Sequence, residues 1–291
     1  MRNIVKRLRE FLAGATLAAA GLGLSAAGAA AAQPQPWEMT LQPAATEIMA
    51  DIHWFESFTF WIIAVITLFV LGLLIAVVVK FNAKANPVPS KTSHHTMIEV
   101  VWTVAPILIL LVIAIPSFRL LFKQVVIPEA DMTVKVTASK WYWSYEYPDN
   151  DEIAFDSYMI EPDAITDPVK QPRLLAVDNP MVVPVGKTVR VQVTAADVIH
   201  SFAMPAFGVK IDALPGRLNE TWFRADREGT FYGQCSELCG QRHAFMPIEI
   251  RVVSDEMFAT WTAAAVDDID AATEQLREAM DAAEAQKVAA R

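Results

Sequence analysis

Cysteine is scarce in this chain, with 2 in 291 residues. That excludes a disulfide-rich scaffold and confines any sulfur chemistry to one place. Positive charge is also short: 24 Lys and Arg stand against 33 Asp and Glu, a net charge of -9. Nucleic acid is therefore not an expected partner, and a basic protein suits the surface better. No internal repeat is apparent. Charge of either sign is missing altogether from Ser57 to Val79 and again from Val100 to Phe118. Runs of that length are not expected in an ordinary soluble domain.

What is present begins with those two runs. Each is long enough to cross a hydrocarbon core of roughly 30 Å as a helix rising about 1.5 Å per residue. Pro106 and Pro116 lie in the second run, which a membrane helix tolerates where neighbours satisfy the freed backbone groups. The connection holds Lys80, Lys84 and Lys91 and no acid. By the positive-inside rule it lies in the cytoplasm, with both flanks of the hairpin outside. Residues 1–32 read as a removable signal: Arg2, Lys6, Arg7 and Arg9 lead an Ala/Leu/Gly stretch ending at Ala30-Ala31-Ala32. The expected organisation is a signal at 1–32, an exported segment at 33–56, a hairpin at 57–122, an exported domain at 123–253 and an Ala-rich acidic helical tail at 254–291.

In the exported domain, Met132 to Ala138 alternates as a half-buried strand does. Further strands are expected at Arg173–Val177, Thr188–Val193, Glu220–Arg224 and Pro247–Val253, with turns at Asp178-Asn-Pro, Pro184-Val-Gly-Lys and Arg227-Glu-Gly. Short strands separated by turns predict a β-sandwich or Greek-key barrel. Trp141, Tyr142, Trp143, Tyr145 and Tyr147 form an aromatic run whose alternation would bury one set.

Both thiols lie in Cys235-Ser-Glu-Leu-Cys239-Gly-Gln-Arg-His243-Ala-Phe-Met246, and His200 stands well upstream. Thiolate, imidazole and thioether make a soft donor set suited to copper rather than magnesium or calcium. One cysteine, two histidines and a methionine would complete a mononuclear site. Cys239 supplies a second thiolate, so the pair can bridge two ions, each also taking one histidine, with Met246 and a backbone carbonyl as weak ligands. A structural disulfide, a Cys2His2 zinc site and a buried reduced pair are the alternatives, and each leaves part of this set without a role.

The motifs Lys140-Trp-Tyr-Trp-Ser-Tyr-Glu-Tyr147, Asp197-Val-Ile-His-Ser-Phe202, Lys210-Ile-Asp-Ala-Leu-Pro-Gly-Arg217 and Tyr232-Gly-Gln-Cys-Ser-Glu-Leu-Cys-Gly240, with His243 and Met246, resemble subunit II of bacterial haem-copper cytochrome c oxidases. The resemblance runs from about residue 38 to 265 and leaves out the signal and the acidic tail. It implies a membrane-anchored all-β protein, with a two-helix hairpin before a cupredoxin-like domain on the periplasmic side of the inner membrane. It also implies a binuclear copper A centre held by His200, Cys235, Cys239, His243, Met246 and the carbonyl of Glu237. The Glu237 side chain would face a magnesium site shared with subunit I, a hard donor for a hard cation. Trp141 matches the position where electrons enter from cytochrome c, and is expected partly exposed near the copper. Glu146, Asp178 and Asp197 match its docking face. Glu99, otherwise a carboxylate favoured at a helix N-terminus, matches the mouth of a proton path. Implied partners are subunits I and III, cytochrome c and membrane lipid. The chain itself carries no plausible haem site, so oxygen chemistry is expected in subunit I. A quinol oxidase subunit would lack the thiols and histidines, and a nitrous oxide reductase would carry a large second domain.

Overall fold

A computed structural model describes residues 33–150 and 153–290; the expected signal lies outside them. Helix α1, Glu47–Lys80, is capped by the Thr46 hydroxyl, which accepts the Met49 N–H at 3.0 Å. Its 34 residues extend about 51 Å, so it starts before the uncharged run and places Glu47 in its first turn and Lys80 in its last, as the helix dipole favours. Helix α2, Thr96–Val125, is capped by the His95 ring and passes through Pro106 and Pro116. Leu68, Val78, Leu108 and Phe122 point outward from these helices and are largely exposed. Helices of this length whose apolar side chains face away from the protein anchor the chain in a membrane.

The rest is a sandwich of two five-stranded sheets, ordered β3-β2-β1-β5-β8 and β4-β10-β9-β6-β7. The strands are β1 Met132–Ser139, β2 Tyr142–Tyr147, β3 Ile153–Ser157, β4 Met181–Pro184, β5 Val189–Ala195, β6 His200–Met204, β7 Val209–Ala213, β8 Asn219–Phe223, β9 Gly229–Cys235 and β10 Pro247–Val253. The pairs β1·β5 and β4·β10 are parallel and the others antiparallel. A parallel pair needs a long crossover, and these crossovers between sheets make the arrangement a Greek-key sandwich, in keeping with the cupredoxin-like fold expected. Alternation decides the facing: Val134, Val136, Val191 and Val193 turn inward with Trp143, Tyr145 and Tyr147, and meet Phe202, Phe231, Ile248 and Ile250 from the opposite sheet.

One expected strand does not form. Arg173–Val177 is a turn, in which the N–H groups of Leu175 and Ala176 both return to the Pro172 carbonyl and Leu174 takes φ 67°. Only Val177 pairs, in an isolated bridge to Met159. Pro172 opens this turn, which buries Ala176 and Val177 without extending a sheet, and the Val177 N–H donates to Glu249 of β10.

The hairpin and the sandwich are joined by hydrogen bonds at the start of α1. Ala45 N–H donates to the Ala206 carbonyl at 2.9 Å, and Thr46 Oγ1 donates to the Phe207 carbonyl at 2.8 Å. On α2, Lys123 Nζ reaches Glu47 at 2.7 Å and Asp51 at 2.5 Å, while its carbonyl accepts from Trp222 Nε1 at 3.3 Å. The tail forms helices α3, Asp255–Ala265, and α4, Ile269–Ala289. Trp261 of α3 is buried against Tyr147 and Phe155.

Candidate metal centre

The cysteine segment is the connection between β9 and β10. Pro247 pairs with Gln234, and the Cys235 N–H donates to the Met246 carbonyl, so the twelve-residue loop 235–246 opens and closes at one rung. Beside it runs β6, paired with β9 through Phe202↔Cys235 and Ala203↔Gln234. Gly233 permits this approach, because a Cβ there would lie 2.0 Å from the Ala203 carbonyl oxygen. His200, the first residue of β6, is thereby carried to the thiols although it lies 35 residues away.

Six donors converge. Cys235 Sγ lies 3.8 Å from His200 Nδ1, 3.8 Å from Cys239 Sγ and 3.4 Å from the Glu237 carbonyl oxygen. Cys239 Sγ lies 3.6 Å from His243 Nδ1 and 3.5 Å from Met246 Sδ. Each thiol therefore has its own histidine. The ligand atoms of His200, Cys235 and Cys239 all fall within 4.8 Å of one another. The sulfurs are free thiols, nearly twice as far apart as the roughly 2.05 Å of a disulfide bond. His200, Cys235, Cys239 and Met246 are buried; His243 is partly exposed on the 3-10 turn His243–Phe245.

Electrostatics prepare the cluster for a cation. Burial alone would raise the Cys235 thiol, but hydrogen bonding with His200 outweighs it and brings the pKa down to about 6. Cys239 goes the other way, pushed up to about 12 by burial and by the charge on Cys235. Of the two sulfurs, Cys235 is therefore the one that loses its proton first. Burial would lower the His200 imidazole; the Cys235 sulfur and the Asp197 carboxylate reverse this and raise it.

Asp197 is the residue whose place here the sequence did not announce. Its Oδ1 lies 2.9 Å from His200 Nε2, fixing the ring so that Nδ1 faces the sulfurs. The same carboxylate accepts the N–H of Val198 at 2.6 Å and of Lys140 at 2.8 Å. Burial would raise its pKa, but the His200 contact and these N–H groups hold it below the ordinary carboxylate range. Trp143 supports the other side: its Nε1–H donates to the Met246 carbonyl at 3.2 Å, and its ring meets His200 edge-on. An Asp three residues before a candidate ligand His was the available signal for the first; nothing local marked the second.

Trp141 is partly exposed, and its indole lies over the loop, where a Cβ on Gly240 would come within 3.1 Å of Cζ2. Glu237 is exposed beside the cluster. Glu146 lies on the outer face of β2, paired with Lys135 at 2.7 Å. Asp178 is exposed, and its Oδ1 accepts the N–H of Tyr158 at 2.7 Å. Glu99 is remote from all of these, in the first turn of α2, where its Oε1 accepts the His95 N–H at 3.2 Å.

The donors fit a soft metal pair. Two bridging-capable thiols, one imidazole nitrogen for each, a thioether and a carbonyl lie in a mostly buried pocket. Zinc would use the sulfurs and nitrogens and leave Met246 without a part.

Comparison with known proteins agrees with this chemistry. Residues 132–253 match the family described as cytochrome c oxidase subunit II, periplasmic domain, and residues 34–120 match its transmembrane domain. The probable cytochrome c oxidase subunit 2 of Rickettsia bellii is 55% identical over 231 residues, 79% of this chain and 85% of the relative. The cytochrome c oxidase subunit 2 of Cereibacter sphaeroides is 50% identical over 265 residues, covering 86% and 87%. Among solved structures, the periplasmic domain of subunit II from Bradyrhizobium japonicum is 63% identical, with a TM-score of 0.46, covering 50% of this chain and 99% of that one.

Proposed function

This chain belongs to the cytochrome c oxidase subunit II family, and from that membership and the sulfur–nitrogen cluster we propose that it is the electron-receiving subunit of a bacterial terminal oxidase. It works beside other subunits of that complex. In this reading it takes electrons from cytochrome c and delivers them to haem in subunit I, where oxygen is reduced and protons are pumped; subunit III completes the core. The hairpin sits in the plasma membrane with the lysine-bearing connection in the cytoplasm and the sandwich in the periplasm.

The carrying observation is the pairing of each thiol with its own histidine at 3.6 to 3.8 Å. His200, Cys235, Cys239, His243, Met246 and the Glu237 carbonyl would hold the copper A pair. When bound, the pair supplies a one-electron carrier whose charge is spread over two ions. The protein's part is to keep the donors where they are. Asp197 holds the proton on His200 Nε2 and leaves Nδ1 free to bind. Trp143, Phe202 and Met246 exclude water from the inner side. Trp141 offers a partly exposed π system over Gly240, suited to receive an electron from a docked haem edge.

The outer acids serve the same reading. Glu146, Asp178 and Asp197 would steer a basic cytochrome toward Trp141, so association should fall as salt rises. The Glu237 side chain would bind magnesium at the subunit I boundary. Glu99 would take up protons from the cytoplasm; its hydrogen bond to His95 N–H equally serves the helix terminus, and an unchanged turnover in Glu99→Ala oxidase would leave it only that role.

Electron paramagnetic resonance of the copper-loaded chain tests the centre. One unpaired electron shared equally by two coppers is the expected hyperfine pattern; a single-copper pattern would refute it.

A further inference from the structure

The C-terminal helix pair lies beyond the matched family domains, which end at residue 253, yet it is not a loose appendage. Helix α4 buries Ala272, Thr273 and Leu276, and its first two turns grip Asn179. Thr273 Oγ1 donates to Asn179 Oδ1 at 2.9 Å, and Asn179 Nδ2 donates to Asp270 Oδ1 at 2.9 Å. Asn179 is 6% exposed and its bond to Thr273 is buried, while the Asp270 partner lies at the surface. Further along, Lys170 pairs with Asp281 at 2.6 Å and Lys287 with Glu228 at 2.8 Å.

What α4 grips is one leg of a segment that borders the metal loop. Residues 158–160 and 176–178 form the two legs: Asp178 N–H donates to the Tyr158 carbonyl, Ile160 N–H to the Ala176 carbonyl, and Asp178 Oδ1 accepts from Tyr158 N–H. The Tyr158 ring stacks on Tyr142, centroids 4.7 Å apart, next to Trp141. Beyond the legs, Glu161 pairs with Arg242 of the metal loop. A series of contacts therefore runs from α4 through Asn179 to Asp178, Tyr158 and Tyr142, the chain neighbour of Trp141.

We infer that α4 is an intrachain latch, with Asn179, Asp270 and Thr273 as positioning residues that hold the Asp178–Tyr158 corner in register with Trp141 for docking of a basic electron donor. The inference rests on the docking reading above. It assigns the tail to partner capture and gives it no part in holding metal, since no α4 side chain reaches the donor cluster.

The test uses the assembled oxidase carrying three forms of this chain: one ending at Asp267, one with Thr273→Val, and one with Asp178→Asn. With a soluble basic c-type cytochrome as donor, the truncation is expected to raise KM about fivefold and Thr273→Val about twofold, with kcat and the copper spectrum unchanged. The ionic-strength dependence of kcat/KM should flatten in both, and hydrogen exchange at Ile160 should quicken. A purely structural helix would instead lower copper content and kcat. Should the truncated chain fail to assemble, Thr273→Val decides by the same KM and salt readings. Unchanged KM and salt slope in the latch variants, with KM raised by Asp178→Asn, would overturn the latch and leave the docking face standing. If Asp178→Asn also changes nothing, the docking role of that corner is lost and the latch with it.

Discussion

The hairpin and the sandwich are built from the same apolar residues in opposite surroundings. In the sandwich, Phe202, Val136, Val191 and Ile250 are 0% exposed. In the hairpin, Leu68, Val78 and Leu110 are 65% or more exposed. The first set is held by protein, so its stability depends on register and shape. The second needs an apolar solvent and depends chiefly on composition and length. The candidate donors belong mainly to the first regime, where a displacement of about 1 Å would matter.

Truncation separates the two regimes most sharply. Phe202→Ala opens a cavity between Trp143 and the metal strand and is expected to cost about 3–5 kcal/mol. Leu68→Ala, on an outward face, should cost well under about 1.5 kcal/mol. Chemical unfolding of the detergent-solubilised chain would compare them. Equal losses would mean that Leu68 is held by packing within the chain and not by its apolar solvent.

Charge gives the next largest effect, and in the reverse sense. Leu68→Arg lies mid-helix and should raise the insertion free energy by about 2.5–3.5 kcal/mol, read as a smaller membrane-integrated fraction. Ile199→Arg, on an exposed side chain of the sandwich, should leave insertion unchanged.

The same contrast explains what could be read in advance. The hairpin was legible because missing charge over a known length is a local property. β1 and β5 were legible by alternation, and their burial follows it residue by residue. β4 is buried at all four positions and β6 at four of five, so neither shows a period of two. Arg173–Val177 misled because Leu-Leu-Ala-Val has a strand's composition, whereas the Leu175 and Ala176 N–H groups return to the Pro172 carbonyl and close a turn. The metal loop stood out through rare soft donors within twelve residues. Asp197 and Trp143 did not, since one depends on turn geometry and the other on a hydrogen bond across 103 positions.

Asp197 now carries a sharper expectation than surface steering. If it fixes His200, Asp197→Asn should weaken metal retention about 10–100-fold, as loss of a ligand's supporting carboxylate does. Competition with a copper chelator measures this directly. An effect on donor association alone, with retention intact, would return Asp197 to the docking face.

The smallest effect is expected at Lys135, and its smallness is informative. Lys135 and Glu146 are 35% and 42% exposed, so their ion pair, although 2.7 Å long, is worth no more than about 0–1 kcal/mol after solvent screening. Lys135→Ala should leave thermal unfolding almost unchanged. It also removes a positive charge that neutralises Glu146 on the outer face of β2. If that face steers a basic donor, association at low salt should become modestly faster, and the gain should vanish as the Debye length falls below about 10 Å. Stopped-flow measurements at two ionic strengths distinguish the cases: a salt-sensitive gain places Glu146 within the donor's reach, whereas an unchanged rate confines docking to the Trp141 and Asp178 side of the sheet.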